Sequence, residues 1–225
     1  MKYLLDTANL SEIRELCEYL PIAGVTSNPS IVKKEGAISF FSHMREIRSV
    51  IGHVRPLHIQ VTAMDYDGMM RDAEAVFHHV DEKVYIKVPV DFAGVKVIKA
   101  LKRQGANVTA TAVYGMDQAF IALEAGADCI APYFNRMEAL GIDAANANIA
   151  GLINHYGYET EILAASFKQT TQIDRAILAG AHSVTASPDV LRDVFRKKIV
   201  KDAVQAFSDD WSTLYGGKTL AELEP

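Results

Sequence analysis

Eight short apolar segments alternate with eight longer segments of helical periodicity along the 225 residues of this chain. Runs that are apolar at nearly every position are typical of parallel strands buried on both faces. We predict strands at 3–6, 24–26, 57–61, 84–88, 107–112, 128–131, 161–165 and 183–185. We predict helices at 11–20, 39–51, 66–79, 92–103, 116–125, 143–156, 170–179 and 189–199. This alternation indicates repeated β-α units and an α/β fold.

Eight such units favour closure into a single (β/α)8 TIM barrel, and the length of the chain suits one domain of this kind. An open doubly wound sheet is the structural alternative. The Gly-rich dinucleotide turn of that fold is missing after the first predicted strand, where the sequence reads DTAN at 6–9. We therefore predict a catalytic barrel at 1–199.

Residues 200–225 follow the eighth unit as an additional C-terminal helix and a tail. Val204, Phe207, Trp211 and Leu214 recur there at helical spacing and form an apolar face. No barrel position remains for this face to fill. It packs either on its own barrel or on a neighbouring subunit, and the sequence leaves both open.

Charge and hydropathy exclude several classes of partner. The formal net charge is −5 at pH 7, and the basic residues are scattered, so no nucleic acid is expected. No apolar run approaches membrane-spanning length and no signal peptide is evident, so we expect a cytoplasmic protein without a membrane partner. Cys17 and Cys129 fit buried reduced thiols. His78 and His79 are adjacent on a predicted helix and point apart, so no metal site is predicted.

Polar side chains stand at or just beyond the carboxyl end of nearly every predicted strand. In a TIM barrel this end carries the active site. The candidates are Asp6, Thr26, Asn28, Gln60, Lys87, Thr111, Tyr133, Asn135, Arg136, Ser166 and Lys168.

Lys87 is the most informative candidate because it lies inside the apolar run YIKVPV at 85–90. Burial of an ammonium group is costly, and desolvation can lower a lysine pKa by ~3–5 units. An uncharged amine is a nucleophile toward carbonyl groups, which is Schiff-base chemistry. A structural pair with a carboxylate such as Asp6 explains the position equally well.

Six motifs occur in order at the strand ends: GVTSNPSI at 24–31, HIQVTA at 58–63, IKVPV at 86–90, TAVYG at 111–115, APYFNR at 131–136 and AASFK at 164–168. With them the chain resembles the small transaldolase family, most closely its fructose-6-phosphate aldolase branch. The resemblance implies a class I aldolase without a cofactor, acting on sugar phosphates and on small ketones and aldehydes. It also implies a ring-shaped homo-oligomer, a pentamer or a decamer.

The resemblance further implies a catalytic set. Lys87 corresponds to the Schiff-base lysine and Tyr133 to the acid/base group, Gln60 and Thr111 hold a water that relays protons, and Asp6 contacts substrate hydroxyls. True transaldolases typically carry Glu at the position of Gln60 and Phe at that of Tyr133. We therefore expect cleavage of fructose 6-phosphate to dihydroxyacetone and glyceraldehyde 3-phosphate, with transaldolase as the alternative. A non-catalytic sugar-phosphate-binding barrel and a metal-dependent aldolase are further alternatives.

The predicted substrate-binding set is Asn28, Thr26, Asn135, Arg136, Ser166 and Lys168, of which Asn28, Arg136 and Ser166 match contacts of the family. Among these, Arg136 and Ser166 correspond to phosphate contacts, which suits a guanidinium and a hydroxyl. Lys168 is either a further contact for anions or a solvated loop charge. Thr109 and Phe134 stand where the aldolase branch has Leu and Val, so the acceptor pocket is expected to differ in shape.

Overall fold

The computed structural model of the protein describes residues 2–142 and 149–224. Eight parallel strands form a closed barrel in sequence order, with β8 hydrogen-bonded to β1. The strands are β1 Lys2–Asp6, β2 Ile22–Thr26, β3 Leu57–Gln60, β4 Tyr85–Pro89, β5 Asn107–Val113, β6 Cys129–Pro132, β7 Glu161–Ala164 and β8 Ser183–Ala186. The predicted (β/α)8 barrel is confirmed, and every predicted strand end lies within two residues of the observed one.

Helices surround the barrel. They are α1 Leu10–Tyr19, α2 Pro29–Val32, α3 Phe40–Ile51, α4 Tyr66–His79, α5 Phe92–Arg103, α6 Met116–Glu124, α7 Phe134–Ala139, α8 Ile149–Tyr156, α9 Thr170–Leu178, α10 Pro188–Asp193 and α11 Lys198–Tyr215. Both α4 and α5 have the predicted bounds. The predicted helix 143–156 ends where α8 ends. Its first six residues, 143–148, lie outside the described residues.

One predicted helix has the wrong end, and two short helices were not predicted. The predicted helix 189–199 ends at Asp193, because the amides of Val194 and Phe195 bond to carbonyls only three residues back and tighten the last turn. The short helices α2 and α7 were not predicted. Helix α2 begins where Asn28 accepts a hydrogen bond from the amide of Ile31, with a proline at the first position.

The helix that follows β4 is held against the end of that strand. Asp91 caps α5 by accepting a hydrogen bond of 2.7 Å from the amide of Gly94. A Cβ atom at Gly94 would collide with the carbonyl oxygen of Pro89. Glycine therefore permits the close approach that fixes the end of β4, the strand that carries Lys87.

Inward-facing residues of the barrel alternate along each strand and form layers drawn from alternate strands. The first layer, at the carboxyl end, contains Asp6, Gln60 and Thr111, and the second contains Thr26, Lys87, Ala131 and Thr185. The third layer contains Leu4, His58, Thr109 and Leu163. The fourth, at the base of the barrel, contains Tyr85, Cys129 and Ser183. The main apolar core lies outside this column, between strands and helices. Polar groups thus line the upper interior of the barrel.

Helix α11 extends from the barrel with no buried residue along its length. Val204, Phe207 and Leu214 are 61, 70 and 75% exposed. The predicted C-terminal helix is therefore present, and its apolar face is uncovered in the single chain. None of the described helices has the length and apolar character needed to cross a membrane.

Candidate active site

Lys87 lies in the barrel interior with 3% of its surface exposed. Its Nζ donates a hydrogen bond of 3.0 Å to the main-chain carbonyl oxygen of Ser27, just beyond β2. Burial lowers the pKa of the Lys87 amine, and the negative charge of Asp6 opposes this shift. The amine is therefore more readily uncharged than that of a surface lysine, and an uncharged amine can attack a carbonyl carbon.

Asp6 ends β1 beside the lysine. Its Oδ1 accepts a hydrogen bond of 2.6 Å from the hydroxyl of Thr26, which also lies 2.7 Å from the hydroxyl of Thr185. Burial raises the pKa of the Asp6 carboxyl, while the charge on Lys87 lowers it. No carboxylate oxygen among the described residues lies within 4.0 Å of Lys87 Nζ, so Asp6 acts on the amine as a nearby charge.

Tyr133 directly follows β6, and its phenol oxygen lies 3.0 Å from Thr111 Oγ1 on β5. Burial raises the pKa of the Tyr133 phenol, against the effect of this hydrogen bond. The phenol is therefore protonated at neutral pH and can donate a proton.

Gln60 is the Cα partner of Lys87 in the β3–β4 ladder. Its Oε1 is buried and has no hydrogen-bond donor among the described residues. Buried polar atoms are rarely left unpaired. This oxygen can therefore accept a hydrogen bond from a substrate or a water at the carboxyl end of the barrel.

Two described non-glycine residues have a positive φ, and both adjoin the site. Ala112 has φ 57°, where the pairing of β5 with β6 shifts register, and Ser166 has φ 67° just after β7. Such a conformation costs on the order of 1–3 kcal/mol outside glycine and is concentrated at functional sites. The bulge at Ala112 follows Thr111 immediately and interrupts the pairing of β5 with β6, which resumes at Val113 and Pro132.

Basic side chains lie at the rim of the barrel beside Tyr133. Arg136 is exposed on α7, its Nη1 donates a hydrogen bond of 3.1 Å to the hydroxyl of Tyr114, and its guanidinium carbon lies 5.1 Å from the centre of the Tyr133 ring. Lys168 is exposed in the loop after Ser166. The two cations can meet an anionic group of a substrate at the mouth of the barrel.

The two candidate asparagines already use their side-chain oxygens within the protein. Asn28 Oδ1 accepts from the amide of Ile31 at 3.0 Å, and Asn135 Oδ1 accepts from Gln172 Nε2 at 3.1 Å. The main-chain amide of Asn135 also bonds to the carbonyl of Ser166. Each side chain therefore offers its NH2 group to a ligand, which would recognise a hydroxyl or an anion.

Nearly the whole chain matches one known family. The family model described as Transaldolase/Fructose-6-phosphate aldolase matches residues 3–217. The chain belongs to this family.

Three relatives support the transaldolase/fructose-6-phosphate aldolase assignment. The chain is 44% identical over 222 residues to a probable fructose-6-phosphate aldolase of Streptococcus pneumoniae, covering 98% of this chain and 100% of the relative. It is 36% identical over 214 residues to a probable transaldolase of Chelativorans sp., covering 94% and 97% of the two chains. It is 33% identical over 213 residues to a probable transaldolase of Bartonella henselae, covering 94% and 96%.

Several residues of the candidate site were not identified from the sequence. Ser27 contributes a main-chain carbonyl, which leaves no side-chain signal. Tyr114 lies inside the motif at 111–115 and contacts Arg136. His58 lies inside the motif at 58–63 and below Gln60 in the barrel. Because side chains alternate along a strand, the spacing of two residues from Gln60 could have identified His58 as an inward residue. Among the described residues, no three His, Cys, Asp or Glu side chains form a group that could hold a metal ion.

Proposed function

We propose that this protein is a class I aldolase that reversibly cleaves fructose 6-phosphate to dihydroxyacetone and glyceraldehyde 3-phosphate through an imine on Lys87. The observation that carries this proposal is the buried amine of Lys87, whose pKa is lowered by burial at the carboxyl end of a barrel. Burying a lysine at this position lowers the free energy of unfolding, because the amine loses its hydration. That cost is understandable if the uncharged amine is the nucleophile.

In the first stage the Lys87 amine attacks C2 of the open-chain ketose. The resulting carbinolamine loses its oxygen as water and becomes a protonated imine, so the lysine carries the positive charge during catalysis. The charge of Asp6 favours this cation, as it favours the protonated amine. Asp6 therefore serves both as a hydroxyl contact and as the counter-charge.

In the second stage the bond between C3 and C4 breaks, and its electrons pass to the imine to give an enamine. The C4 hydroxyl loses its proton and becomes the aldehyde. This proton passes through a water held by Gln60, Thr111 and Tyr133, and a proton returns along the same route to C3 of the enamine. Addition of water to the imine then releases dihydroxyacetone and restores the amine.

The substrate extends from Lys87 to the rim of the barrel. Thr26 and the amide groups of Asn28 and Asn135 contact its hydroxyls in this proposal, while Arg136 and Ser166 bind its phosphate. Lys168 adds positive charge at the same rim. The phosphate site and the acid/base group are adjacent, because the Arg136 guanidinium lies over the Tyr133 ring.

A transaldolase is the second candidate, since two relatives are named probable transaldolases. Gln60 and Tyr133 favour release of dihydroxyacetone, because a phenol beside the relay water can protonate the enamine. Purified protein is incubated with fructose 6-phosphate, with and without erythrose 4-phosphate, and the products are measured. We expect cleavage without the acceptor, and cleavage that depends wholly on it would contradict the aldolase proposal.

The imine is tested separately by borohydride reduction with dihydroxyacetone, followed by intact mass and peptide mapping. We expect one covalent adduct on Lys87 and none in Lys87→Met. A folded wild-type protein without an adduct would favour a non-catalytic sugar-phosphate-binding barrel. Activity in EDTA is measured alongside, and its loss would favour a metal-dependent aldolase instead.

We also propose a ring-shaped homo-oligomer, a pentamer or a decamer, in which α11 packs on a neighbouring copy. Val204, Phe207 and Leu214 of α11 are exposed in the single chain, and helices in proteins gain most of their stability by packing an apolar face against a partner surface. This favours the neighbouring subunit over the chain's own barrel. The cytoplasmic location stays a prediction from the sequence.

A further inference from the structure

Directly beneath Lys87 the barrel interior contains a buried polar pair. His58 on β3 and Thr109 on β5 flank β4, and His58 Nδ1 lies 2.9 Å from Thr109 Oγ1. The two residues are 2% and 0% exposed. The imidazole also stacks on Tyr85, with ring centres 4.6 Å apart and an angle of 28° between the planes. Side chains from three neighbouring strands are thus in contact below the amine, with His58 and Thr109 in one layer and Tyr85 in the layer beneath.

Below this plane a cavity opens to solvent at the amino ends of the strands. It has a volume of about 1120 Å³, and both His58 and Tyr85 line it. Its lining also includes charged side chains: Lys2, Arg55, Lys83, Lys102, Asp128 and Glu161. A cavity of this size and polarity holds water. His58 therefore has the cavity on one side and the Lys87 layer on the other.

The imidazole of His58 is uncharged in this place. Burial, the charge on Lys87 and the charge on Arg48 lower the pKa of His58 to about 3. The other titratable groups that face the pair Lys87 and His58 are Asp6 from β1, Tyr85 from β4, Cys129 from β6 and Tyr133 after β6, with Lys34 acting on Asp6. Replacing His58 by a neutral side chain therefore leaves the charge near Lys87 unchanged at neutral pH.

We propose that His58 is a positioning residue whose ring, fixed by Thr109 and Tyr85, forms a floor that keeps the water of the basal cavity away from the Lys87 amine. It acts through Lys87 and makes no contact with substrate. This inference rests on the proposed imine chemistry. In this proposal the His58 side chain is what keeps the Lys87 amine free of water.

The test compares a variant that opens the floor with one that keeps it closed. His58→Ala removes the ring and joins the basal cavity to the Lys87 layer, whereas His58→Phe replaces the ring by another flat, neutral one. Ile47→Ala is the control, because Ile47 is fully buried on α3, outside the barrel interior. For each protein the rate of adduct formation with dihydroxyacetone and cyanoborohydride is measured from pH 5 to 9, together with thermal stability.

We expect the midpoint of the Lys87 titration to rise by about one pH unit or more in His58→Ala, because hydration restores the charged amine. In His58→Phe and Ile47→Ala we expect it to stay within about 0.3 units of wild type, even where stability falls. A purely structural role would lower stability without moving the midpoint.

Two outcomes overturn the proposal. One is an unchanged midpoint in folded His58→Ala, and the other is an equal rise in His58→Phe, which would show that the polar contact matters and not the exclusion of water. If His58→Ala does not fold, Tyr85→Ala removes the ring on which the imidazole stacks and so loosens the floor; a rise of the midpoint is expected, and an unchanged midpoint overturns the proposal. If wild-type protein gives no adduct, the imine proposal itself fails, which is a distinguishable result.

Discussion

The hydroxyl oxygens of Thr111 and Tyr133 lie 3.0 Å apart, although Thr111 belongs to β5 and Tyr133 follows β6. The left-handed Ala112 comes between Thr111 and the last residue of β5, so the backbone leaves the ladder just where this contact forms. The phenol thereby has a fixed position and a partner that can accept or donate a proton. Proton transfer in the proposed cycle depends on this pair.

Tyr133→Phe removes the phenol oxygen and keeps the ring. We expect kcat for cleavage of fructose 6-phosphate to fall by ~100–10,000-fold, the usual contribution of a positioned acid/base group. The amine is untouched, so the borohydride adduct with dihydroxyacetone should still form. Loss of the adduct together with turnover would show instead that Tyr133 is needed to shape the imine pocket.

Lys87→Met should abolish turnover and stabilise the fold. The change replaces a buried amine by an apolar side chain, and we expect the free energy of unfolding at pH 7 to rise by ~1–3 kcal/mol. Urea denaturation measures the difference. Lys99→Met, at an exposed position on α5, is the control and should change stability by less than about 0.5 kcal/mol.

Arg136→Ala should weaken binding of a phosphorylated aldehyde. In the synthetic direction we expect KM for glyceraldehyde 3-phosphate to rise by ~10–100-fold, the value of a hydrogen bond to a charged group. KM for unphosphorylated glyceraldehyde should change little. Lys168→Ala is measured in parallel, and a comparable rise there would identify Lys168 as a phosphate contact and not a solvated loop charge.

Deletion of residues 200–225 should dissociate the assembly, since α11 has no buried residue within its own chain. Light scattering after size exclusion measures the mass. Phe207→Asp should have a similar effect, while Ser208→Asp, at the neighbouring exposed position, should not. An unchanged mass in the deletion variant would contradict the proposed role of α11.

The buried His58 should make the fold sensitive to acid. Its pKa is about 3 in the folded chain and 6.5 in the unfolded chain, so the unfolded chain binds the extra proton as pH falls. Its contribution to stability is fully present above pH 6.5 and is lost progressively towards pH 3. Between pH 7 and pH 5 we expect wild type to lose ~2 kcal/mol more than His58→Phe, at ~1.4 kcal/mol per unit. An equal loss of stability in the two proteins would show that His58 binds a proton in the folded chain as readily as in the unfolded chain.

The barrel could be predicted because its strands are buried on both faces and therefore read as apolar runs. For example, the runs around Lys87 and Ala110 each gave a strand end within one residue of the observed one. The short helices α2 and α7 could not be predicted in this way, since four to six residues cannot show a helical period. Each begins inside one of the six motifs, α2 within the motif at 24–31 and α7 within the motif at 131–136.

The candidate site was predictable residue by residue, but its contacts were not. Alternation and strand ends indicated Lys87, Asp6 and Gln60 as neighbours, because carboxyl ends of parallel strands meet at one edge. The carbonyl of Ser27 and the left-handed Ser166 depend on backbone conformation, which no side chain encodes. His58 was overlooked because a lone buried histidine has no signature beyond its period.

The proposed catalytic groups lie on or directly after five different strands: Asp6 on β1, Gln60 on β3, Lys87 on β4, Thr111 on β5 and Tyr133 directly after β6. No stretch of nascent polypeptide therefore contains an activated amine. Until the barrel closes, Lys87 is hydrated, and its amine is charged to the same extent as that of an ordinary lysine, so it condenses with aldehydes and ketones only slowly. In this proposal the Lys87 amine becomes an efficient nucleophile only when folding is complete.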